Sequence, residues 1–366
     1  IDGIRVVIDA GLARVARYDP HRGIDTLYIE NISRASADQR AGRAGRTAPG
    51  VCYRLWTKHE HEGRAVHDLP EIRRIDLAEA VLALKGCGVE DIDAFQWVEP
   101  PEHAALERAK LTLTDLGALR NEDGALTGLG RLMLAFPVHP RYARMLLAGE
   151  TFGCVREAAL IAALTQGRGL MLKAKGKHVE REREKLTAGE EHSDLLILMR
   201  MWSYARRNNF RVDACRRMGI HANTARQVGP LFDYFLRIAE NEGLTVRNSP
   251  ADGDQVAKCV LTSFIDHLAA RRDRGTRRCN LIHGRRGELD RDSVVQDSDL
   301  LAAVEINEIE SGRGDVTVRL SQAVAVEEDW LHELYPDDFR ELDEVGFDAT
   351  GKRVAGRKVR AFRDLE

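Results

Sequence analysis

The chain has 366 residues, 43% of them hydrophobic, and a formal net charge of −3, which argues against a protein that coats polyanions over its whole surface. This length exceeds one typical hydrophobic core and predicts two or three domains, while the apolar runs are far shorter than the roughly 20 residues that span a bilayer. Six dispersed cysteines without a CxxC pair are typical of reduced thiols, so we expect a cytoplasmic protein without membrane contact.

The first 56 residues have the sequence pattern expected of the C-terminal part of an α/β layer. A β-branched run at 4–10 predicts a buried strand, and a strand, a turn at 19–23 and a second strand come after it. A helix is then expected over 36–46 and a short strand over 50–56. Because the chain starts at Ile1, inside the first strand, we expect the other strands of this layer to lie upstream.

The rest of the chain is predicted to be mostly helical. Amphipathic segments after Asp76 and Pro101 predict helices in a small module with short strands, and a nearly all-helical region extends from Thr127 to about Asn241. The charged insert at 173–192 predicts an exposed loop or a frayed helix. A helix is expected over 255–270, and the alternating segments after it predict a small antiparallel barrel or sandwich and then a hairpin.

The segment SADQRAGRAGRT carries the strongest chemical signal. Gln39, Arg43 and Arg46 have the i, i+4, i+7 spacing that places side chains on one face of a helix. Gly42 and Gly45 each destabilise a helix by about 1 kcal/mol relative to alanine. A helix that is merely solvated has no need of these two glycines. Guanidiniums bind phosphate through a planar fork of donors, so the pattern favours a sensor of a nucleotide γ-phosphate with an arginine finger. The alternative is a solvated arginine-rich helix.

The sequence QRAGRAGR resembles motif VI of superfamily 2 helicases in the form used by the DEAH/RHA branch, and IDGIRVVIDAG, together with the residues after it, resembles that branch's motif V region. Further along, DLPEIRRIDLAEAVLALKGCGV is similar to the start of its winged-helix domain, and LTGLGRLMLAFPVHPRYARMLLAG to the start of its ratchet domain. FPVHPRYARMLL and RCNLIHGRRG most resemble bacterial HrpB-type helicases. The resemblance covers essentially the whole chain in the right order.

This resemblance implies a multidomain, mostly α-helical fold with an α/β start. The usual Thr-Ser-Leu-Thr of motif V is missing, so the chain is expected to be a C-terminal fragment that starts inside that motif. The expected domains are the C-terminal part of a second RecA-like lobe (1–57), a winged-helix domain (58–124), a helical ratchet domain (125–243), an OB-like β domain with a leading helix (244–335) and a C-terminal hairpin or tail (336–366).

The resemblance also implies roles for single residues at the nucleotide. Gln39 is expected to face the γ-phosphate and the attacking water. Arg43 and Arg46 are expected to contact the phosphate, with Arg46 as the arginine finger. Asp2 and Gly3 match the end of motif V and are expected near the same cleft.

Two segments are expected to contact nucleic acid. The hairpin at 15–32 matches one that these helicases place against nucleic acid, with His21 and Arg22 at its tip, and a plain edge hairpin is the alternative. An arginine-rich run beside the predicted barrel has the density that attracts phosphate backbones without reading sequence, and its alternative is a solvated or ion-paired surface. The candidate contacts in this run are Arg271, Arg272, Arg277, Arg278, Arg285 and Arg286.

The chain holds only half of the ATP site that such a motor needs. A phosphate-cradling GxxxxGK[ST] loop is required, together with acidic residues for Mg²⁺, and no DEAH-like tetrapeptide occurs. GFDATGKR at 346–353 fits GxxxxGK but puts Arg353 where a hydroxyl is required, so a hairpin turn is predicted there.

The sequence therefore predicts an ATP-dependent helicase that acts on nucleic acid, with RNA the expected substrate. ATP and Mg²⁺ are expected to be held mainly by the missing first RecA-like lobe, in the same polypeptide. A single strand of RNA or DNA is expected to be bound mainly through its backbone. The fragment alone is expected to be inactive as an ATPase and to hold no metal of its own. The alternative is a non-catalytic module that binds RNA or a partner protein.

Overall fold

The computed structural model describes residues 3–19, 24–166, 169–172, 177–310, 316–348 and 353–365. The chain divides into two units, of which unit 1 comprises Ile1–Leu77 and Asp91–Ala109, and unit 2 comprises Ala78–Glu90 and Lys110–Glu366. Unit 1 carries the candidate phosphate-binding segment, and unit 2 carries most of the helices and the arginine-rich run.

Unit 1 contains a small parallel sheet, a hairpin and short helices. Its elements are β1 (Val6–Asp9), β2 (Leu12–Asp19), β3 (Ile24–Asn31), α1 (Arg34–Ala41), β4 (Val51–Arg54) and α2 (Lys58–Glu62). β1 and β4 are parallel, with Val6 opposite Val51. β2 and β3 are antiparallel, with Leu12 opposite Asn31. The predicted strands and the predicted hairpin of this region are therefore confirmed, but the prediction that the first strand is buried was wrong for these residues, since Val6 and Ile8 are more than half exposed.

The helix predicted over 36–46 differs from the observed one at both ends. Observed α1 starts at Arg34 and ends at Ala41, so the predicted end was wrong by five residues. The physical reason is the pair Gly42 and Gly45, since each glycine weakens a helix relative to alanine. Three residues with predicted roles, Asp2, His21 and Arg22, lie outside the described residues.

Unit 2 is mainly a set of packed helices. They are α3 (Ala78–Gly86), α4 (His103–Asp115), which begins in unit 1, α5 (Gly128–Met133), α6 (Pro140–Phe152), α7 (Val155–Thr165), α8 (Lys177–Thr187), α9 (Asp194–Arg207), α10 (Val212–Arg217), α11 (Ala222–Asn241) and α12 (Gly253–Ser263). Nearly every residue of α7 is buried, so this helix lies in the core of the helical region. The charged insert contains α8, where the Arg183 guanidinium donates to the carbonyl oxygen of Met218 at 2.9 Å.

Five strands close a small barrel after α12. They are β5 (Leu268–Arg271), β6 (Arg278–Leu281), β7 (Arg285–Leu289), β8 (Leu300–Glu310) and β9 (Val316–Ala325). β8 pairs with β5, β5 with β6, β6 with β7, β7 with β9, and β9 again with β8, so of the predicted barrel or sandwich the structure has the barrel. The barrel is antiparallel except between β7 and β9.

The helix predicted over 255–270 ends earlier, at Ser263. The hydroxyls of Thr262 and Ser263 donate to the carbonyl oxygen of Cys259, and Leu268–Arg271 is taken into the barrel as β5. Tertiary strand pairing here overrides a helical pattern, because the segment is apolar enough for either structure.

A short helix and a hairpin come after the barrel. They are α13 (Glu328–Leu334), β10 (Phe339–Asp348) and β11 (Arg353–Phe362). β10 and β11 are antiparallel, with Asp348 opposite Arg353, so the GxxxxGK sequence spans a hairpin as predicted and not a strand, loop and helix. Its residues 349–352 lie outside the described part of the chain.

A buried ion pair joins α6 to the start of the barrel. The Arg141 guanidinium donates to both carboxylate oxygens of Asp266, at 2.6 and 2.8 Å. Burial by itself would raise the pKa of Asp266, but the nearby guanidinium of Arg141 holds it well below its ordinary value. Next to it, burial holds the pKa of His267 well below its ordinary value, although Asp266 opposes the shift. This network fixes the helical region against the barrel, because breaking either charge would leave the other buried alone.

Among the helices that the structure describes, none is both long enough and apolar enough to cross a membrane.

Candidate functional site

The candidate phosphate-binding segment is attached to the end of β1 by an ion pair. Asp9, the last residue of β1, is buried and accepts a hydrogen bond from the Gly11 backbone N–H at 2.9 Å. The Arg40 guanidinium donates to the same carboxylate oxygen at 3.0 Å and to the carbonyl oxygen of Leu12 at 3.1 Å. The last turn of α1 is therefore held against the strand end.

The start of α1 is fixed by a capping network. The Ser33 hydroxyl accepts a hydrogen bond from the Ser36 backbone N–H at 3.0 Å, and the Ser36 hydroxyl donates to Asp68 at 2.6 Å. This hydrogen bond from Ser36 lowers the pKa of Asp68, although partial burial opposes it. Since both ends of α1 are held, the residues at its end and just after it have a defined position.

Gln39, Arg43 and Arg46 are all exposed. Gln39 lies in α1, whereas Arg43 and Arg46 lie in the turns after it, so the three do not share one helix face as predicted. None of their side chains has a hydrogen bond or ion pair to any residue that the structure describes. By contrast, Arg54 pairs with Asp38 at 2.6 Å. The segment thus combines one arginine, Arg40, that is committed to a buried carboxylate with two arginines that are available to a ligand.

The glycines of this segment differ in what their backbones contact. A Cβ on Gly50 would lie 2.1 Å from the carbonyl oxygen of Ala44, so internal packing requires glycine there. A Cβ on Gly42 would have its nearest described neighbours at 3.5 Å, and one on Gly45 at 3.9 Å. Internal packing therefore explains Gly50 but neither of the other two. Gly3, with a φ of 82°, is exposed, and no atom of the described residues lies within 4 Å of a Cβ placed there.

Three of the six arginines predicted on the basic run have internal partners. Arg271 donates to the carbonyl oxygens of Ser298 and Val295, both at 3.0 Å, and so holds the loop before β8. Arg285 donates to the carbonyl oxygens of Ile282 and Asp266. Arg277 forms an ion pair of 2.7 Å with Glu288, which leaves it partly exposed.

The other three, Arg272, Arg278 and Arg286, are exposed. Arg274, which the sequence places in the same run, is exposed too. None of these four guanidiniums has a hydrogen-bond or ion-pair partner within the described ranges. Since β6 carries Arg278 and β7 carries Arg286, the barrel strands place free cations on the surface beside the loop that carries Arg272. This surface can bind phosphate groups through Coulomb attraction, with no base-specific geometry required.

Comparison with known proteins relates the chain to helicases. Residues 139–198 match the ratchet-like helicase associated domain (HA2), and residues 111–138 match the winged-helix helicase associated domain (HA2). The ATP-dependent RNA helicase HrpA of Escherichia coli K12 is 31% identical over 278 residues, a match that covers 73% of this chain and 21% of HrpA.

Two solved structures from E. coli resemble the whole chain. They are the DExH-box NTPase HrpB, with a TM-score of 0.66 and 27% identity, and the DEAH/RHA helicase HrpB, with a TM-score of 0.69 and 26% identity. Each match covers 100% of this chain and 39% of the HrpB chain. The chain thus spans about two fifths of the HrpB chains and about a fifth of HrpA.

Proposed function

Since the chain belongs to the DEAH/RHA-type helicases, in their HrpA- and HrpB-like group, we propose that it is part of an ATP-driven motor that moves along single-stranded nucleic acid, with RNA as substrate. This proposal rests on the exposure of the Gln39, Arg43 and Arg46 side chains. Within the described part of the chain, these exposed side chains have no partners, and α1, from which their segment continues, is held at both ends. Arginines kept available in a fixed position are what phosphoryl transfer requires of a γ-phosphate sensor.

The small sheet of unit 1 supports the proposal that 1–57 is part of a RecA-like lobe. Val6, Ile8, Val51 and Tyr53 are each more than half exposed, although they lie on two paired parallel strands. Parallel strands normally occur in sheets that are covered on both faces. Further strands and helices of an α/β layer would cover these side chains.

In the proposed motor, each residue of the segment acts on the terminal phosphate. Arg46 stabilises the charge that develops on the γ-phosphate, Arg43 binds the phosphate oxygens, and Gln39 orients the attacking water. We propose that Asp2, which lies outside the described residues, and Gly3 belong to the same nucleotide site. ATP and Mg²⁺ are held mainly by a first RecA-like lobe in the same protein, so the 366 residues alone are inactive as an ATPase.

The remaining domains hold the strand. We propose a winged helix at 58–124, a ratchet domain at 125–243, an OB-like domain at 244–335 and a tail at 336–366. The exposed arginines Arg272, Arg278 and Arg286 contact the phosphate backbone, with the partly paired Arg277 beside them, while Arg271 and Arg285 hold the barrel that presents them. We also propose that His21 and Arg22, which lie outside the described residues, contact nucleic acid. A grip on the backbone alone suits a motor that moves along any sequence.

RNA-stimulated ATP hydrolysis by the full-length protein tests this proposal. We expect Arg46→Ala to lower kcat by about 1,000-fold and Arg43→Ala to lower it by a similar or smaller factor. Affinity for RNA should stay unchanged in both variants, and the exposed Arg207→Ala in α9 serves as the matched control.

Undiminished turnover in Arg43→Ala and Arg46→Ala would show that these residues do not contact the phosphate. Absence of turnover in the wild-type full-length protein, with RNA affinity retained, would instead favour a non-catalytic module that binds RNA or a partner protein.

A further inference from the structure

Unit 2 contains a cavity of about 610 Å³ on the side of the barrel where α9 begins. Its walls are the loop before β8, the start of α13 and the end of β11. Its floor is apolar and built from side chains that are themselves buried, among them Leu268, Leu331, Phe362 and Leu365. The residues that line the cavity belong to unit 2, whereas the candidate phosphate-binding segment belongs to unit 1.

Five carboxylates surround this apolar floor. They are Glu191, Asp297, Asp299, Glu327 and Glu328, and all are exposed. Glu328 lies 3.7 Å from His332, but the other four form no ion pair with any described residue. Among the described lining residues, the one guanidinium is that of Arg360, which lies over the Phe339 ring at 4.8 Å. The rim therefore has a strong excess of negative charge.

The loop that carries two of these carboxylates is held in place. Arg271 of β5 donates through its side chain to the carbonyl oxygens of Val295 and Ser298, and its backbone N–H donates to the carbonyl oxygen of Asp299. Three hydrogen bonds from one residue thus fix the loop that presents Asp297 and Asp299. Carboxylates held in fixed positions lose little freedom when a cation binds them, which favours binding.

The opposite wall is a rigid aromatic group. Phe339 stacks on His332 with ring centroids 3.8 Å apart and packs edge-on against Phe362 at 5.2 Å. An apolar ligand group that entered the cavity would contact this surface and lose water contact.

We propose that this cavity binds a basic peptide segment of a partner protein, with one apolar side chain in the cavity and lysine or arginine side chains on the rim. Charge complementarity favours this occupant, because the four rim carboxylates without an ion pair to a described residue repel one another, and a cationic segment removes that repulsion. The same field repels the phosphates of RNA, so nucleic acid does not fit here. A volume near 610 Å³ matches the roughly 300–1,000 Å³ of sites that enclose a small ligand, so it accommodates a side chain or two and not a folded domain.

Fluorescence anisotropy with a labelled peptide, acetyl-Lys-Arg-Trp-Leu-Lys-Arg-amide, tests the proposal on the full chain. We expect binding that weakens with salt, and a Kd about fivefold higher for Asp297→Asn combined with Asp299→Asn. Both residues are exposed and keep their shape as asparagine, so the variant retains its fold. Glu240→Gln combined with Glu242→Gln changes the charge equally at exposed positions of α11 and just after it, and is expected to leave the Kd unchanged.

A second peptide separates a built site from general charge attraction. Serine in place of both tryptophan and leucine should weaken binding by about tenfold if the apolar floor is used. Three results would overturn the proposal: no binding up to about 1 mM peptide, an equal loss in the control variant, or equal affinity for the serine peptide. Weaker binding of single-stranded RNA to the Asp297→Asn, Asp299→Asn variant would overturn it too, since it would identify the surface as part of the nucleic-acid path.

Discussion

The Arg40 guanidinium lies 3.0 Å from the carboxylate of Asp9, whose side chain is only 1% exposed. This pair ties the end of α1 to the end of β1 and leaves Arg40 committed to the interior of unit 1. Its neighbours Gln39 and Arg43 have no such partner among the described residues. Within one short arginine-rich sequence, the first arginine therefore stabilises the fold, and the later ones are available to a ligand.

Replacing Arg40 should reduce stability, whereas replacing Arg43 or Arg46 should not. Arg40→Ala leaves the buried Asp9 carboxylate without its partner, which we expect to cost about 2 kcal/mol of unfolding free energy. Arg43→Ala and Arg46→Ala remove exposed side chains and should stay within about 0.5 kcal/mol of wild type. Urea unfolding followed by circular dichroism measures all three.

Arg40→Lys provides a further control, because it keeps one charged donor near Asp9 but loses the planar fork. We expect it to recover part of the loss. Equal stability of Arg40→Ala and Arg43→Ala would mean that the Asp9 contact contributes nothing to folding.

The glycines after α1 allow a second test of the distinction between residues that stabilise the fold and residues that are available to a ligand. Gly50→Ala would bring a Cβ to 2.1 Å from the Ala44 carbonyl oxygen, so the backbone must shift, and we expect a loss of about 2 kcal/mol. Gly45→Ala meets nothing closer than 3.9 Å among the described residues and should leave the thermal unfolding midpoint unchanged or slightly raised. If Gly45 exists to let a nucleotide approach, the same variant should raise the KM for ATP in the full-length protein.

An unchanged KM in Gly45→Ala, together with unchanged stability, would contradict a nucleotide approach at this glycine. A low midpoint for Gly45→Ala would contradict the packing argument instead, since the described structure has room for the methyl group.

Most elements could be predicted from the sequence, because hairpins and amphipathic helices carry local signals. The turn residues between β2 and β3 and the alternation in β10 and β11 are enough to indicate both hairpins. The helix ends were wrong where local and tertiary preferences compete, as at Ala41 and Ser263. Glycine propensity decides the first of these, and pairing of Leu268–Arg271 with two barrel strands decides the second.

The hydrogen-bond and ion-pair partners of the arginine side chains could not be predicted from the sequence. Spacing identified an arginine cluster, but not that Arg40 is used by Asp9, since the two lie 31 positions apart. The basic run likewise gave no sign that Arg271 bonds to three backbone carbonyls, two of them more than twenty positions away. Only long-range geometry distinguishes arginines that hold the barrel from those that remain on its surface.

Stability should fall on acidification through the buried histidine at the start of the barrel. The Nδ1 atom of His267 lies 2.9 Å from the carbonyl oxygen of Ala303, which can only accept, so Nδ1 carries the proton of a neutral imidazole. Burial holds the pKa of His267 well below its ordinary value of about 6.5, so in the window below 6.5 the unfolded chain binds more protons than the folded one. This contribution to stability is complete above about pH 6.5 and is lost as the pH falls toward the folded pKa, by up to about 1.4 kcal/mol per pH unit.

The His267→Asn variant isolates this effect, because its amide nitrogen can replace Nδ1 as donor to Ala303 but does not titrate. We expect it to show a smaller loss of stability than wild type between about pH 6.5 and 5, in urea unfolding at a series of pH values. The exposed His192→Gln should keep the wild-type slope. A slope in His267→Asn equal to that of wild type would show that another group causes the acid sensitivity.

Neutralising the exposed arginines of the barrel should weaken nucleic-acid binding without unfolding the chain. We expect Arg272→Gln, Arg278→Gln and Arg286→Gln together to lower affinity for single-stranded RNA and to reduce the slope of log K against log salt by about one per arginine. Affinity for different base sequences should fall by the same factor, because phosphate contacts carry no sequence information. Arg271→Gln should instead lower the unfolding midpoint, since it removes the side-chain bonds to Val295 and Ser298.

The matched control for this test removes equal charge from exposed arginines of the helical region. It combines Arg207→Gln, Arg211→Gln and Arg216→Gln. If the control reduces the salt slope as much as the barrel variant does, the RNA responds to total charge and not to a surface. If only the barrel variant reduces the salt slope, the RNA strand runs past β6 and β7. The rigidity of the closed barrel then has a direct function, because it keeps the arginines at fixed spacing along an RNA backbone that moves past them.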